Sequence, residues 1–232
     1  MERLKFRWND PRVFRVIAIA VLVLAAALFM VGKPVSVESL IEWGSAMSAH
    51  PAVAVGLVAL QAVLLALALP GTLMLWVVAP LYTPFQAALI LTAGSVLGAS
   101  GAYGISRHIR GDRLFRGFSG RVIGLLRRRN DLFIQLLLRI VPGFPHSVIN
   151  YGAGMLKLPL STFLVATTLG LAVKWFVYAS AMHAMLEMGS GEGKIGIDSL
   201  IPLFILAILF AVGWLVHQRV KTRRSPYPEH DA

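Results

Sequence analysis

Cysteine is absent, which excludes disulfides, thiolate metal sites and a cysteine nucleophile, and leaves the redox compartment unmarked. Charge is scarce. Asp, Glu, Lys and Arg make up 14% of the 232 residues, against the roughly 25% that keeps the surface of a soluble domain wet. Acidic residues are the scarcest, 11 against 22 Lys+Arg. From Trp43 to Ser106 there is no Asp, Glu, Lys or Arg, and neither Leu132–Leu186 nor Ser199–Val216 holds a carboxylate. These shortages exclude a large soluble enzyme core, a disordered tail protein and a collagen-like rod. What remains is apolar: 57% of residues are hydrophobic and the mean hydropathy is +0.72. The composition is that of an integral membrane protein.

The net charge of +11 would point to nucleic acid on a soluble domain. On so apolar a chain it marks cytoplasmic loops beside anionic headgroups, so the expected partner is the membrane, with no nucleic acid. A helix needs about 20 residues to cross a hydrocarbon core of about 30 Å. Val13–Val31 is a first candidate, preceded by Arg3, Lys5, Arg7 and Arg12. No A-x-A site follows Gly32-Lys33-Pro34, so an uncleaved anchor with a cytoplasmic N-terminus is expected. Glu38 and Glu42 then fit the outer side. Phe85–Ser106 reads as a span whose Gly94, Gly98 and Ala102 share one face, which admits a close neighbouring backbone. The arginine-rich stretch 107–131 follows, with Leu114, Phe115, Phe118, Val122, Leu125 and Leu126 at helical spacing. It reads as a cytoplasmic helix lying in the membrane interface.

Parity fixes the remainder. Leu158–Leu186 and Leu200–Val216 are long enough to leave and return, and Glu187, Glu192 and Asp198 lie between them outside. The tail carries Arg219, Lys221, Arg223 and Arg224, and is therefore cytoplasmic as well. Leu132–Leu156, cut by Pro142 and Pro145, must then enter and leave on one side as a re-entrant hairpin. A second hairpin broken at Pro70-Gly71 satisfies the earlier run, although three crossings with Ala52–Leu69 as a full span satisfy it too. Pro70-Gly71 and Gly98 stand in the same register as Pro142-Gly143 and Gly170, while the two segments enter from opposite sides. That is the pattern of an inverted-topology repeat with its site between broken helices. The expected fold is an all-α, multi-pass integral membrane protein with two facing re-entrant hairpins. Residues 1–51 form a basic segment, first span and outer loop, and 52–186 the core with its linker 107–131. Residues 187–232 add an acidic outer loop, a last span and a basic tail. A plasma (inner) membrane location with both termini cytoplasmic is the expectation.

Arg139-Ile-Val-Pro142-Gly143-Phe-Pro145, followed by Asn150-Tyr151-Gly152-Ala153-Gly154, resembles the signature of the DedA superfamily. These are also called VTT-domain or SNARE-associated Golgi proteins. Leu69-Pro70-Gly71, then Gly94, Gly98, Tyr103, Arg107 and Gly111, is similar to that family's first half. The resemblance covers about Ala52 to His183. It implies two facing re-entrant helices and a role in lipid movement or membrane homeostasis, with phospholipids or polyprenyl phosphate lipids as partners. The first hairpin has no carboxylate, and Pro145 stands in the region of the family's second arginine, which resembles the yeast-Golgi-type branch. Proton coupling through a membrane carboxylate is not expected.

Two cations lie inside apolar segments. Arg139 is two turns into the second hairpin, roughly 10 Å below the boundary, and Lys174 is within the following span. An unpaired charge in hydrocarbon costs several kcal/mol, and no nearby carboxylate can offset it. Either the side chains snorkel to the interface, or they receive an incoming anion, for which a guanidinium suits phosphate. Carbonyls freed at the proline breaks are a further partner for Arg139. Asn150 and Tyr151 either donate to a headgroup or cap backbone groups, and His146 either carries protons or is a structural hydrogen-bonder. Trp8, Trp43, Trp175 and Trp214 read as interface belts. The candidate substrate-binding set is therefore Pro70, Gly71, Arg139, Pro142, Gly143, Pro145, Asn150, Tyr151, Gly154 and Lys174, with no catalytic residue and no metal or other cofactor. A lipid transporter or scramblase leads. An ion- or proton-coupled solute transporter and a non-transporting scaffold remain open, as does a homo-oligomer. No H-E-x-x-H or paired-Asp motif supports an enzyme.

Overall fold

A computed structural model describes residues 44, 46, 48–108, 117–128, 131–189 and 197–222. Those from 46 onward belong to one unit, Ser45–Ala232. The expected first span, the outer segment 33–43, Glu192 and the tail from 223 lie outside the described residues. Within them every regular element is a helix.

The first half begins with α1 (Pro51–Ala66), which has proline at its N-terminus, where no helical N–H is lost. It ends in a Schellman turn: Leu69 N–H donates to Leu64 O at 2.8 Å and Ala68 N–H to Leu65 O at 3.1 Å. Ala68 takes the left-handed conformation (φ 59°) that this turn requires. Pro70-Gly71 keeps the chain from resuming the helix, and the short α2 (Leu73–Val78) follows. Then α3 (Pro84–Ser106) starts at a capping box in which Thr83 Oγ1 accepts from Gln86 N–H and Gln86 Oε1 accepts from Thr83 N–H. An alanine at φ > 0 costs about 1 kcal/mol relative to glycine. Ala68→Gly should therefore raise the unfolding midpoint of the purified protein by a few degrees, read by tryptophan fluorescence on heating. A fall would show that the turn draws on the Ala68 methyl.

The second half repeats this succession. α5 (Leu132–Ile140) is capped by Asp131, whose carboxylate accepts from Ile134 N–H at 2.9 Å. It stops at Val141-Pro142-Gly143, where Gly143 holds φ 94°, a backbone state open to glycine and strained for other residues. α6 (His146–Met155) follows and ends at Lys157 (φ 52°) in a second Schellman turn. After Pro159 comes the long α7 (Leu160–Gly189), and α8 (Ile197–Thr222) closes the described chain.

Glycine decides how these helices nest. A Cβ on Gly94 would stand 2.8 Å from Val58 O, and one on Gly98 2.6 Å from Ala62 O, so α1 lies directly on the small-residue face of α3. The face read from Gly94, Gly98 and Ala102 thus has its neighbour. Gly170 does the same for α5, with Arg139 Cβ at 2.9 Å and Leu136 O at 3.3 Å. Each long helix therefore seats the first helix of its own half through a glycine in the same sequence register. Across the halves, Gly154 of α6 meets Ser106 Oγ and Tyr103 O of α3. α3 also packs on α7.

By length and composition α3 and Leu160–Met188 are able to cross a membrane. Phe85, Leu89 and Leu97 on α3, Leu169, Val173 and Phe176 on α7, and Phe204, Ile208 and Trp214 on α8 are exposed. Large apolar side chains on successive turns of long helices suit a hydrocarbon surround and not water. α1, at 16 residues, is shorter than a full crossing needs. α4 (Gly117–Arg128) lies in the basic linker. Its Val122, Ile123 and Leu126 are buried in one cluster with Ile149 and Ala153 of α6. Of the apolar stripe read as a membrane-interface face, Val122 and Leu126 are packed on protein.

Candidate functional site

The two breaks meet. Leu69-Pro70-Gly71-Thr72 and Pro142-Gly143-Phe144-Pro145 line one cavity of about 500 Å³, completed by α6 and α7, by Ser95 of α3 and by Phe210 of α8. Pro70, Gly71, Pro142, Gly143, Pro145, Asn150 and Lys174 of the candidate set are all on its wall. Arg139, Tyr151 and Gly154 are not among the lining residues.

Lys174 does not snorkel. It is 4% exposed, and its Nζ lies 2.8 Å from His146 Nε2 and 5.3 Å from the Tyr178 ring. The helix brings it to the cavity because the N-terminus of α6 turns His146 towards the middle of α7. A lysine ammonium has only donors, so Nε2 accepts and the His146 proton sits on Nδ1. That Nδ1 is buried and without a partner. None of the lining residues is a carboxylate, so the wall is cationic.

Arg139 sits behind this wall, fully buried. Its Nη1 donates to Asn150 Oδ1 at 3.2 Å, and the guanidinium lies 4.8 Å from the centre of the Phe163 ring, within cation–π range. Nε and Nη2 have no partner. Snorkelling is excluded here too, and the acceptor it finds is the Asn150 amide in place of the freed carbonyls expected at the breaks. Tyr151 resolves as a backbone cap: its hydroxyl donates to Ala66 O at 2.6 Å, tying α6 to the last turn of α1. Gly154 is a packing position.

Trp175 corrects the sequence reading. It is 1% exposed and not at an interface. Its Nε1–H donates to Ser95 Oγ at 3.0 Å, and Gln61 Nε2 donates to the same oxygen at 3.1 Å. A buried indole needs such an acceptor, and Ser95 supplies it from α3. Ser95 and Trp175 both line the cavity. Sequence reading does not pick out this trio. The available signal is Gln61, an amide in the middle of an uncharged helix, because a buried amide implies a polar partner. Among the described residues no group of His, Asp and Glu could hold a metal ion.

Described residues that are helical in every regular element, with two apolar helices long enough to cross a membrane and Pro-Gly breaks that share one cavity with Lys174, have the build of a membrane protein. Residues 69–184, which hold both breaks and every residue of the candidate set, match the VTT domain, and the chain belongs to the VTT-domain family. It is similar to Transmembrane protein 41B of Gallus gallus, 28% identical over 67% of this chain and 60% of that protein. Transmembrane protein 41B of Homo sapiens is 27% identical over 67% of this chain and 56% of that protein. For the Transmembrane protein 41 homolog of Caenorhabditis elegans the identity is 27%, over 72% and 70%. The chain thus spans about three-fifths of the length of the chicken relative. No solved structure matches.

Proposed function

We propose that the protein moves a phosphate-bearing lipid, a phospholipid or a polyprenyl phosphate, between the leaflets of its membrane without a chemical step. The observation that carries this reading is Lys174: a buried ammonium on the wall of a cavity that offers it a neutral imidazole and no carboxylate. Such a charge favours an entering anion, and a lipid phosphate is the anion at hand in a bilayer. Asn150, with Oδ1 committed to Arg139, offers its amide N–H groups as further donors. Arg139 acts through Asn150.

The two halves are read as an inverted repeat whose breaks are the tips of re-entrant hairpins. Support comes from the shared order helix, Pro-Gly break, short helix, long helix. It comes also from Gly98 and Gly170, which seat corresponding helices. In this reading both termini are cytoplasmic, Glu192 is outside, and the membrane is the plasma (inner) membrane.

The test is lipid movement by the purified protein. Liposomes holding the full chain and a trace of fluorescent acyl-labelled phosphatidylglycerol are treated with dithionite, which destroys the label only in the outer leaflet. The protein should let the inner-leaflet label disappear as well. Quenching that stalls as in protein-free vesicles would leave the chain a scaffold and end the transport reading.

A further inference from the structure

Three of the cavity side chains, Ser95, Asn150 and His146, share a property that their identities do not announce: each has an acceptor occupied from behind. Ser95 Oγ accepts from both Gln61 Nε2 and Trp175 Nε1. A hydroxyl has two lone pairs and one proton, so what Ser95 has left is its O–H. No acceptor for that hydroxyl is found on α3, although Ser100, Ser106 and Thr167 all donate to carbonyls of their own helices. Asn150 Oδ1 accepts from Arg139 and His146 Nε2 accepts from Lys174, which leaves an amide NH₂ and an Nδ1–H. Lys174 has no acceptor at all. Ser95, Asn150 and Lys174 are all at most 4% exposed.

We propose that Ser95 is a headgroup-binding residue whose proton is turned into the cavity by Gln61 and Trp175. Together with Asn150 and Lys174 it makes a cluster of side chains with only donors left, selective for headgroups with net negative charge and no cation. The inference deepens the phosphate reading of this cavity and rests on it. Thr72, Ser147 and Tyr178 also line the cavity, and their hydroxyls serve an anion equally well. A choline or ethanolamine nitrogen would share the cavity with the Lys174 ammonium and find no carboxylate, only the aromatic faces of Trp175, Tyr178 and Phe210, to offset that repulsion. Gln61 does not line the cavity. It is a positioning residue, and Trp175 positions Ser95 through its N–H while also forming wall.

The experiment measures binding of two short-chain lipids, dihexanoyl phosphatidate and dihexanoyl phosphatidylcholine, to the detergent-purified full chain by titration calorimetry. Wild type should bind phosphatidate more tightly than phosphatidylcholine. Ser95→Ala should weaken phosphatidate roughly 10-fold or more while moving phosphatidylcholine less, so the ratio of the two affinities falls. Trp175→Phe keeps the aromatic packing but frees a lone pair on Ser95. It too should lower the ratio, which loss of packing alone would not do. Equal loss of both lipids in Ser95→Ala, or a wild type without preference, overturns the proposal. Lys174→Ala separates the two levels. If it loses phosphatidate while Ser95→Ala binds as wild type, the Ser95 role is wrong and the phosphate site stands. If Lys174→Ala also binds as wild type, the phosphate site itself falls.

Discussion

Lys174→Ala should slow phosphatidylglycerol movement in liposomes by roughly 10- to 150-fold, with the folded protein recovered in normal amount. The size follows from losing a desolvated, charge-assisted contact to phosphate, about 1.5–3 kcal/mol. The fold should survive because the removed ammonium satisfies little: its neighbours are His146 Nε2 and the Tyr178 face, and burying an ammonium without a carboxylate is itself costly. Lys174→Gln, which keeps donors and loses charge, should fall between. Arg139→Ala should differ in kind. It vacates a fully buried volume against Phe163 and strips Asn150 Oδ1 of its donor, so its loss should appear in folded yield as much as in transport. Rates are compared at matched amounts of monodisperse protein. A Lys174→Ala variant as fast as wild type would remove the cation from the mechanism.

The second large effect is on folding. Gly154→Ala should cost about 3 kcal/mol, the upper end of overpacking penalties, and abolish most of the folded protein. The added methyl would overlap Tyr103 O as well as Ser106 Oγ. A serine hydroxyl can rotate away; the Tyr103 carbonyl, held in the last turn of α3 by Arg107 N–H at 2.9 Å, cannot, so α3 and α6 must separate. That separation also loosens the Tyr103 hydroxyl from Leu158 O, now 2.7 Å away. Gly104→Ala is the control. A Cβ there meets nothing within 4 Å, and alanine in place of glycine should gain up to about 1 kcal/mol of helix propensity. Size-exclusion profiles and melting midpoints of the two variants check the pair. Similar profiles would mean that the α3–α6 contact is looser than described.

The breaks, the long helices and the glycine faces were legible in the sequence because each is a one-dimensional pattern. Pro-Gly interrupts an apolar run, a span needs a minimum length, and small residues at i, i+4 share a face. Which buried cation reaches the cavity was not legible. Arg139 and Lys174 are both cations in apolar helices, and only the way α5 and α7 are turned about their own axes sends one behind the wall and the other onto it. Trp175 misled for a related reason. Tryptophan in a membrane protein ordinarily marks an interface, but Trp175 stands in the middle of α7 and its N–H answers Ser95 on another helix, a pairing that no local spacing encodes. Tyr151 and Gly154 sit inside the motif like Asn150, yet one closes a helix end and the other admits a neighbour.

The account turns on phosphate being the group the cavity recognises. The most direct measurement compares, in the same wild-type vesicles, two acyl-labelled lipids that cross bilayers slowly unaided: phosphatidylglycerol, which carries a phosphate, and glucosylceramide, which carries a neutral sugar. Dithionite should reach the inner-leaflet phosphatidylglycerol through the protein, while glucosylceramide stays at its protein-free rate. Equal movement of both lipids would contradict the account, because a cavity indifferent to phosphate has no use for the charge at Lys174.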